Sequence, residues 1–496
     1  MMDITWICSL LLAVAISCLI YSSWNMMYQR RNLPPGPTPL PIVGNVLQIK
    51  RGQLVQSMIE FAEKYGPIYT IYFGHNPVIV LSGYETVKEA LVDRAEEFGG
   101  RGSIPTFDQY FKGHGIVFVN GERWKELRRF SLTVLRNFGM GKTSIEERIQ
   151  EEAGFLVERI RSCKEKAIEP SNFLLQAVTN IICSIVFGNR YEYDNKSFLQ
   201  LPLLFSVIFR DVSSFWGQMM DMLPGVMQYI PGPHQNIIPN FKKLETFISQ
   251  SVEMHQKTFD PDSPRDYIDC FIIKQHQEKD NPNFNMQNMV FAIMNLFFGG
   301  TETVSTTLRS AFLILVRYPE IQAKLHNEID REIGENRIPN NEDRMRMPYM
   351  DAVLHEVQRF TDILPANVAH ATTRDTNFKG YTIPKGTDVY PLLCTVLSDP
   401  KQFATPHKFN PNHFLDSNGC FKKNNASMPF SAGRRVCVGE SLARVELFIF
   451  LTTILQNFTL TSKTKFTDED IKPGRTGFAN SPMLYEISFI PRTGSQ

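Results

Sequence analysis

Opposed charges nearly cancel in this 496-residue chain: 52 Lys plus Arg stand against 51 Asp plus Glu, a net charge of +1. That excludes a global drive toward nucleic acid or acidic surfaces, so a charged partner must be recognised by a local patch. Paired cysteines are missing as well. The eight cysteines, at 8, 18, 163, 183, 270, 394, 420 and 437, include no CxxC and no zinc spacing; in a long chain they read as mostly reduced thiols in the cytosol. There is no P-loop and no GxGxxG after a strand, which argues that the chain does not itself take hydride from a dinucleotide. No repeat or low-complexity tract interrupts the sequence. Tryptophan is scarce, 4 residues beside 37 Phe, which suits a protein that lines an apolar cavity as well as filling a core.

What is present starts with an uncharged run. Residues 4–24, ITWICSLLLAVAISCLIYSSW, would span ~30 Å as a helix, about one bilayer core. Trp6, Tyr21 and Trp24 sit near its ends, where amphipathic rings favour the interface. A cleaved signal peptide competes, but it wants a basic start and a shorter apolar run. Here Asp3 precedes the run and Arg30 and Arg31 follow it, so the positive-inside tendency puts everything after residue 30 in the cytosol. Residues 1–30 are expected to be a single-pass anchor in the endoplasmic reticulum membrane, and 31–41, with five prolines, a stiff hinge. Residues 42–496 then form one domain. Asn195, Asn425 and Asn457 open N-x-S/T triplets that a cytosolic body would leave unmodified.

Apolar periodicity predicts helices near 54–65, 84–93, 121–137, 143–163, 171–187, 240–258, 287–317, 319–333, 349–361 and 439–457. Residues 224–233, PGVMQYIPGP, read as a loop. Strand-like runs appear at PIYTIYFG, NPVIVLSG and YEISFIP. The expected fold is therefore mainly α with small β-sheets.

The most specific segment is FSAGRRVCVGESLARVELFIF, residues 430–450, which places Phe430, Gly433, Arg435, Cys437 and Gly439 in FxxGxRxCxG before an apolar helix. A cysteine at a helix start gains unpaired N–H groups and the positive helix end, which favour the thiolate that a metal requires. Each position alone is weak; a lone cysteine before a helix is usually structural. The five together resemble the haem-binding loop of the cytochromes P-450, and their surroundings are similar to the microsomal family-two members, from the PPGP hinge to GFANSPMLYEI.

The resemblance implies a haem-thiolate monooxygenase that inserts one atom of dioxygen into hydrophobic molecules such as fatty acids, steroids or xenobiotics. It implies haem b with Cys437 as axial ligand, and electrons delivered singly from NADPH through a separate flavin reductase, with cytochrome b5 as a further candidate partner. An axial thiolate favours O–O cleavage. Two adjacent glycines, Gly299 and Gly300, interrupt the helix MVFAIMNLFFGGTETVSTTLRSAFLIL at a cost of about 2 kcal/mol relative to alanine, with no evident structural reason. In the family that bend lies over the haem, which makes Thr303 and Glu302 the proton-delivery pair; the bland alternative is that Thr303 returns its hydroxyl to the carbonyl of Gly299. Val304 and Gly299 depart from the commoner residues without touching that pair.

Glu356 and Arg359 sit at i, i+3, in isolation a surface ion pair. The resemblance instead buries them against the segment 409–416, where Asn412 and His413 replace the common partners and leave the third member open. Arg101, Trp124, Arg128, His370 and Arg435 are the implied haem propionate partners; Ala369 stands where proline is usual before His370, which also remains a rival axial ligand. The substrate pocket is read as Val117, Phe118, Phe209, Asn295, Phe298, Leu364, Val368 and Phe478, with Asn295 its polar handle. Arg123, Lys125, Arg129, Lys422, Lys423 and Arg434 form the candidate reductase-docking patch. A haem-thiolate isomerase and a non-enzymatic haem sensor or electron carrier are the alternatives; Thr303 and Glu302 argue against the first.

Overall fold

The computed structural model describes residues 4–137, 143–474 and 477–492. Every helical pattern forms. Leu54–Tyr65, Gly121–Asn137, Thr143–Arg161, Ser171–Val186, Ile237–Lys257, Pro319–Glu332, Pro348–Thr361 and Glu440–Asn457 follow the expected bounds closely, and 84–93 is a helix, Tyr84–Lys88, continued by a π turn. The long apolar helix divides at Thr301 into Met286–Gly300 and Glu302–Arg317.

Five further helices were not legible, one of them the five-residue Leu393–Leu397. Pro105–Phe111 is short, Lys196–Ser213 carries Pro202 inside it, and Phe215–Met222 and Tyr267–Gln277 lack a clean apolar stripe. The segment 224–233, expected as a loop, contains the helical turn Pro224–Met227, and a 3-10 turn, Pro233–Asn236, overlaps its end. Each begins on proline, whose fixed φ and missing N–H suit the first helical position.

The main sheet has five strands in the order Ile68–Phe73, Asn76–Leu81, Asp388–Pro391, His370–Ala371, Gly100–Arg101. Asn76–Leu81 and Asp388–Pro391 run parallel; the other neighbours are antiparallel. The two shortest strands matter most, because their register sets Arg101 opposite His370. Two hairpin-like pairs, Thr376–Phe378 with Tyr381–Ile383 and Phe458–Thr461 with Ser488–Pro491, complete the β structure. The helix Glu440–Asn457 packs on four neighbours, Thr143–Arg161, Glu302–Arg317, Pro319–Glu332 and Pro348–Thr361. That explains why it is buried nearly all round: its position is central to the largest core.

Glu356 and Arg359 are a buried pair. Arg359 Nε and Nη2 donate to the two Glu356 oxygens at 2.7 Å each, and its remaining donors meet the carbonyls of Leu397, Pro406 and Lys408. The third member is His413: its Nδ1 lies 3.1 Å from Glu356 Oε2, while its Nε2 accepts from the backbone N–H of Thr405. Since Nε2 accepts, Nδ1 carries the proton and donates to the carboxylate. Asn410 N–H adds a further donor to Glu356 Oε1.

The helix Ile4–Gln29 covers the expected anchor and exposes Trp6, Leu10, Leu11, Leu12, Ile20 and Trp24. Among the described residues no single helix is long and apolar enough to cross a membrane, several side chains of this helix lying outside that set. Among the described residues no cysteine forms a disulfide.

Candidate functional site

Cys437 ends a tight loop whose shape requires glycine. Gly433 adopts φ +72°, and a Cβ there would sit 1.8 Å from the carbonyl oxygen of Leu91, so no other residue fits without moving the backbone. The N–H of Cys437 donates to Phe430 O at 3.0 Å, closing the loop. Its sulfur receives the backbone N–H groups of Gly439 and Glu440, the first turn of the helix Glu440–Asn457. Burial nevertheless raises the thiol's pKa, outweighing those donors and Arg128. The helix start alone therefore does not produce the thiolate expected from the sequence; a bound cation would. The thiol lies deep in the protein, yet its side chain remains accessible.

Around this loop the structure gathers positive charge without an anion. Arg101 donates to the carbonyls of Val117, Val368 and Ala369, Arg128 to Val436 O at 2.5 Å, and Arg435 to Gly99 O and Val119 O. Arg435 also lies 3.8 Å from the centre of the Trp124 ring. Among the described residues none of the three guanidiniums has a carboxylate partner. Burial and then mutual repulsion push Arg435 down to about 8 and Arg101 to about 10. Burial and Arg101 likewise push His370 down to about 3. Its Nδ1–H donates to Phe98 O at 2.8 Å, leaving Nε2 buried without a partner. A carboxylate placed among these groups would pair the guanidiniums and allow Nε2 to protonate. The haem group fits this donor set: two propionates supply the missing charge and the thiol supplies an iron ligand.

Sequence reasoning missed Asn120, which ties the cluster together. Its Oδ1 accepts from Arg101 N–H at 2.7 Å and Arg435 Nη2 at 2.8 Å. The only sequence hint was its place just before a helix start.

Thr303 Oγ donates to Gly299 O at 2.7 Å, as the bland alternative held. Glu302 is buried; burial raises its pKa, against the pull of Arg309. One expectation needs correction. Gly300 does have a structural reason: a Cβ there would lie 2.5 Å from Ile182 Cδ1 on the helix Ser171–Val186. Only Gly299, whose Cβ would meet nothing within 4 Å, is free of packing demand.

Of the expected pocket residues, Phe209, Phe298 and Phe478 make mutual ring contacts, and Asn295 Oδ1 accepts from Val117 N–H. Phe118, Phe209 and Phe298 belong to the largest core cluster, and Val117, Leu364, Val368 and Phe478 pack against it. The centre of the aromatic wall is Phe107, which sequence reasoning did not name. Its ring stacks on Phe118 at 4.3 Å and contacts Phe298 at 5.5 Å and Phe478 at 5.7 Å. Asn295 is less free than expected: its Oδ1 accepts from Ile116 and Val117 N–H, which fixes the amide and leaves Nδ2 buried without a partner.

The cytochrome P450 family model matches residues 34–489. The chain belongs to the cytochrome P450 family. Cytochrome P450 2G1 of Oryctolagus cuniculus is 51% identical over 487 residues, 98% of this chain and 99% of that protein. Cytochrome P450 2A13 of Homo sapiens is 51% identical over 489 residues (97% and 99%), and cytochrome P450 2C23 of Rattus norvegicus 49% over 494 (99% and 100%). As a cytochrome P450 the chain is a haem-thiolate monooxygenase, an oxidoreductase whose haem carries a cysteine thiolate and whose electrons come from a redox partner. The isomerase, sensor and histidine-ligated alternatives end there.

The two glycines are expected to respond oppositely. Gly299→Ala should keep or raise thermal stability, by up to about 1 kcal/mol. Gly300→Ala should lower it by about 1–3 kcal/mol through overpacking, partly recovered when Ile182→Val is added. Denaturation midpoints of the four proteins check this, and equal behaviour of the two alanine variants would refute it.

Proposed function

We propose that Cys437 is the axial ligand and that Arg101, Trp124, Arg128, His370 and Arg435 hold the haem propionates. The observation that carries this reading is a group of three guanidiniums, Arg435 buried and Arg101 and Arg128 half-buried, with one unpartnered imidazole nitrogen beside the Cys437 loop and no carboxylate partner among the described residues. Bound haem supplies the oxygen activation that an axial thiolate favours. The chain's own part is to bind and orient the substrate and to hold protons near the reacting bond. In this reading Thr303, on the bend after Gly299, presents its hydroxyl to the chamber. Buried Glu302 keeps a proton to higher pH than an exposed carboxyl and feeds it to that site.

The substrate we infer is a compact, apolar molecule carrying one hydrogen-bond acceptor. Phenylalanines 118, 209, 298 and 478, backed by the fully buried Phe107, offer ring faces and edges to a flat apolar body. The unpartnered Nδ2 of Asn295, its amide held in one orientation, offers the single donor. Small xenobiotics and steroids with a carbonyl suit this wall better than a long unbranched fatty acid.

Electrons are proposed to come from NADPH through a flavin reductase, with cytochrome b5 as second donor, on the face carrying the basic patch. That patch is narrower than its sequence. Lys125 pairs with Glu122, Arg434 with Glu96, and Arg123 is tied to Gly113 O and Asn283. Arg129, Lys422 and Lys423 remain exposed and carry the proposal. The helix Ile4–Gln29 is proposed as the endoplasmic reticulum anchor, with the catalytic body on the cytosolic side, supported by its exposed apolar side chains and the arginines that follow it. Exposed Leu40, Ile42, Leu47, Val226 and Tyr229 would rest on the same membrane.

Three outcomes follow in a reconstituted assay. Cys437→Ser should lose the red-shifted Soret band of a thiolate-ligated, reduced carbon monoxide complex together with turnover; a variant that kept both would overturn the ligand assignment. Lys422→Glu with Lys423→Glu should raise the reductase concentration for half-maximal rate several-fold at low salt and leave the carbon monoxide spectrum unchanged; kinetics insensitive to both charge and salt would sink the docking site. Asn295→Leu should weaken a carbonyl-bearing substrate by about tenfold while sparing its hydrocarbon analogue, and equal effects on the pair would remove Asn295 as the handle.

A further inference from the structure

In the reading proposed above the segment 102–111 roofs the substrate chamber, and it packs Phe107 on Phe118. Three carboxylates from three elements hold its backbone. Asp388, on the strand Asp388–Pro391, accepts from Ser103 N–H at 2.9 Å. Asp108, within the segment, accepts from Ile104 N–H at 3.0 Å and from Ser103 Oγ at 2.7 Å. Asp221, on the helix Phe215–Met222, accepts from Thr106 N–H at 2.9 Å.

The segment is also tied by Gly102 N–H, which donates to Ala369 O at 2.9 Å, and by the Tyr110 hydroxyl beside Phe241 O. No lysine, arginine or histidine pairs with any of the three carboxylates among the described residues. Of the other titratable groups on the packed elements, Arg101 donates to the carbonyls of Val117, Val368 and Ala369, and His370 Nδ1 donates to Phe98 O. Tyr390 lies within the electrostatic reach of all three and adds no positive charge. Glu245 is taken by the hydroxyl of Tyr110 at 2.6 Å. Arg51 stacks on Phe215 and His234 on Trp216.

We propose that Asp108, Asp221 and Asp388 form a proton-dependent latch that fixes the roof of the substrate chamber to the sheet and to the helix Phe215–Met222. Three carboxylates drawn together without a cation repel one another once all are charged, and a shared proton relieves the repulsion while each retains an oxygen to accept its amide. Burial, with repulsion from Asp108 added, raises both Asp221 and Asp388 to about 6, and burial raises Asp108. A released roof exposes these groups to water, where they return to ordinary carboxylate values near 3.9. The latched state therefore binds protons more tightly than the released one, so latching strengthens as pH falls toward the ordinary carboxylate range and weakens as pH rises through about 6. The roof should open most readily at and above neutral pH, which ties ligand access to proton release.

The test is amide hydrogen exchange of the full haem-loaded chain, corrected for the intrinsic pH dependence of exchange. The helix Glu440–Asn457 serves as reference. Protection of the amides in 102–111 should increase about tenfold per titrating carboxylate between roughly pH 7 and pH 5, while the reference helix stays constant. Asp221→Asn and Asp388→Asn keep an accepting oxygen and cannot ionise. Each should bring the neutral-pH protection toward the acidic level and reduce the slope, and together they should remove most of it. Glu245→Gln, outside the cluster, should leave the wild-type slope. A wild-type profile that is flat in 102–111 overturns the latch without any variant, as does a double variant that keeps the wild-type slope. Neither result bears on Cys437 or on the haem, because the readout is protection of the roof and not turnover.

Discussion

The arrangement depends on uncompensated positive charge buried beside a thiol. Three guanidiniums in contact with backbone carbonyls rather than carboxylates are costly to keep ionised, and the depressed values of Arg101 and Arg435 express that cost. Such a cluster persists only if something anionic completes it, which is why the loop of Cys437 and the group it serves have to be understood together. The same field acts on His370, held neutral until an anion arrives.

Everything that positions this cluster is rigid and distant in sequence. Arg101 is set against His370 by two strands of two residues each, Arg435 by a loop that tolerates no Cβ at Gly433, and Arg128 by a helix one turn beyond Trp124. Behind the loop, the buried Glu356, Arg359 and His413 assembly consumes nearly every donor and acceptor it owns on backbone or on one another. Breaking one member would leave a buried charge unpaired, so the assembly works as a brace that is difficult to alter piecemeal. The chamber roof is the softer part: it is held by carboxylates that repel one another, and it carries the aromatic ring around which the substrate wall is organised.

Much of the site was legible as residue type and spacing. The five positions around Cys437 form a local signature; the roles of Glu302 and Thr303 and the aromatic pocket residues were expected only from the family resemblance that this signature carries. The roles of Phe107, Asn120 and His413 could not be named in advance. Phe107 lies in a seven-residue helix too short to show periodicity, Asn120 matters only because two remote arginines converge on it, and His413 takes up a role through a proton placed by Thr405. Gly300 was misjudged for the same reason, since its demand comes from Ile182 on another helix.

The chain alone therefore determined its helical period and the position of its thiol before a helix, because these follow from neighbours a few residues apart. The tertiary structure decided which charges face one another unpaired, which carboxylates share a boundary and which glycine abuts a side chain of a neighbouring helix. Those are properties of contacts across hundreds of residues, and electrostatic energy depends on distance in space and on burial, neither of which spacing along a chain encodes.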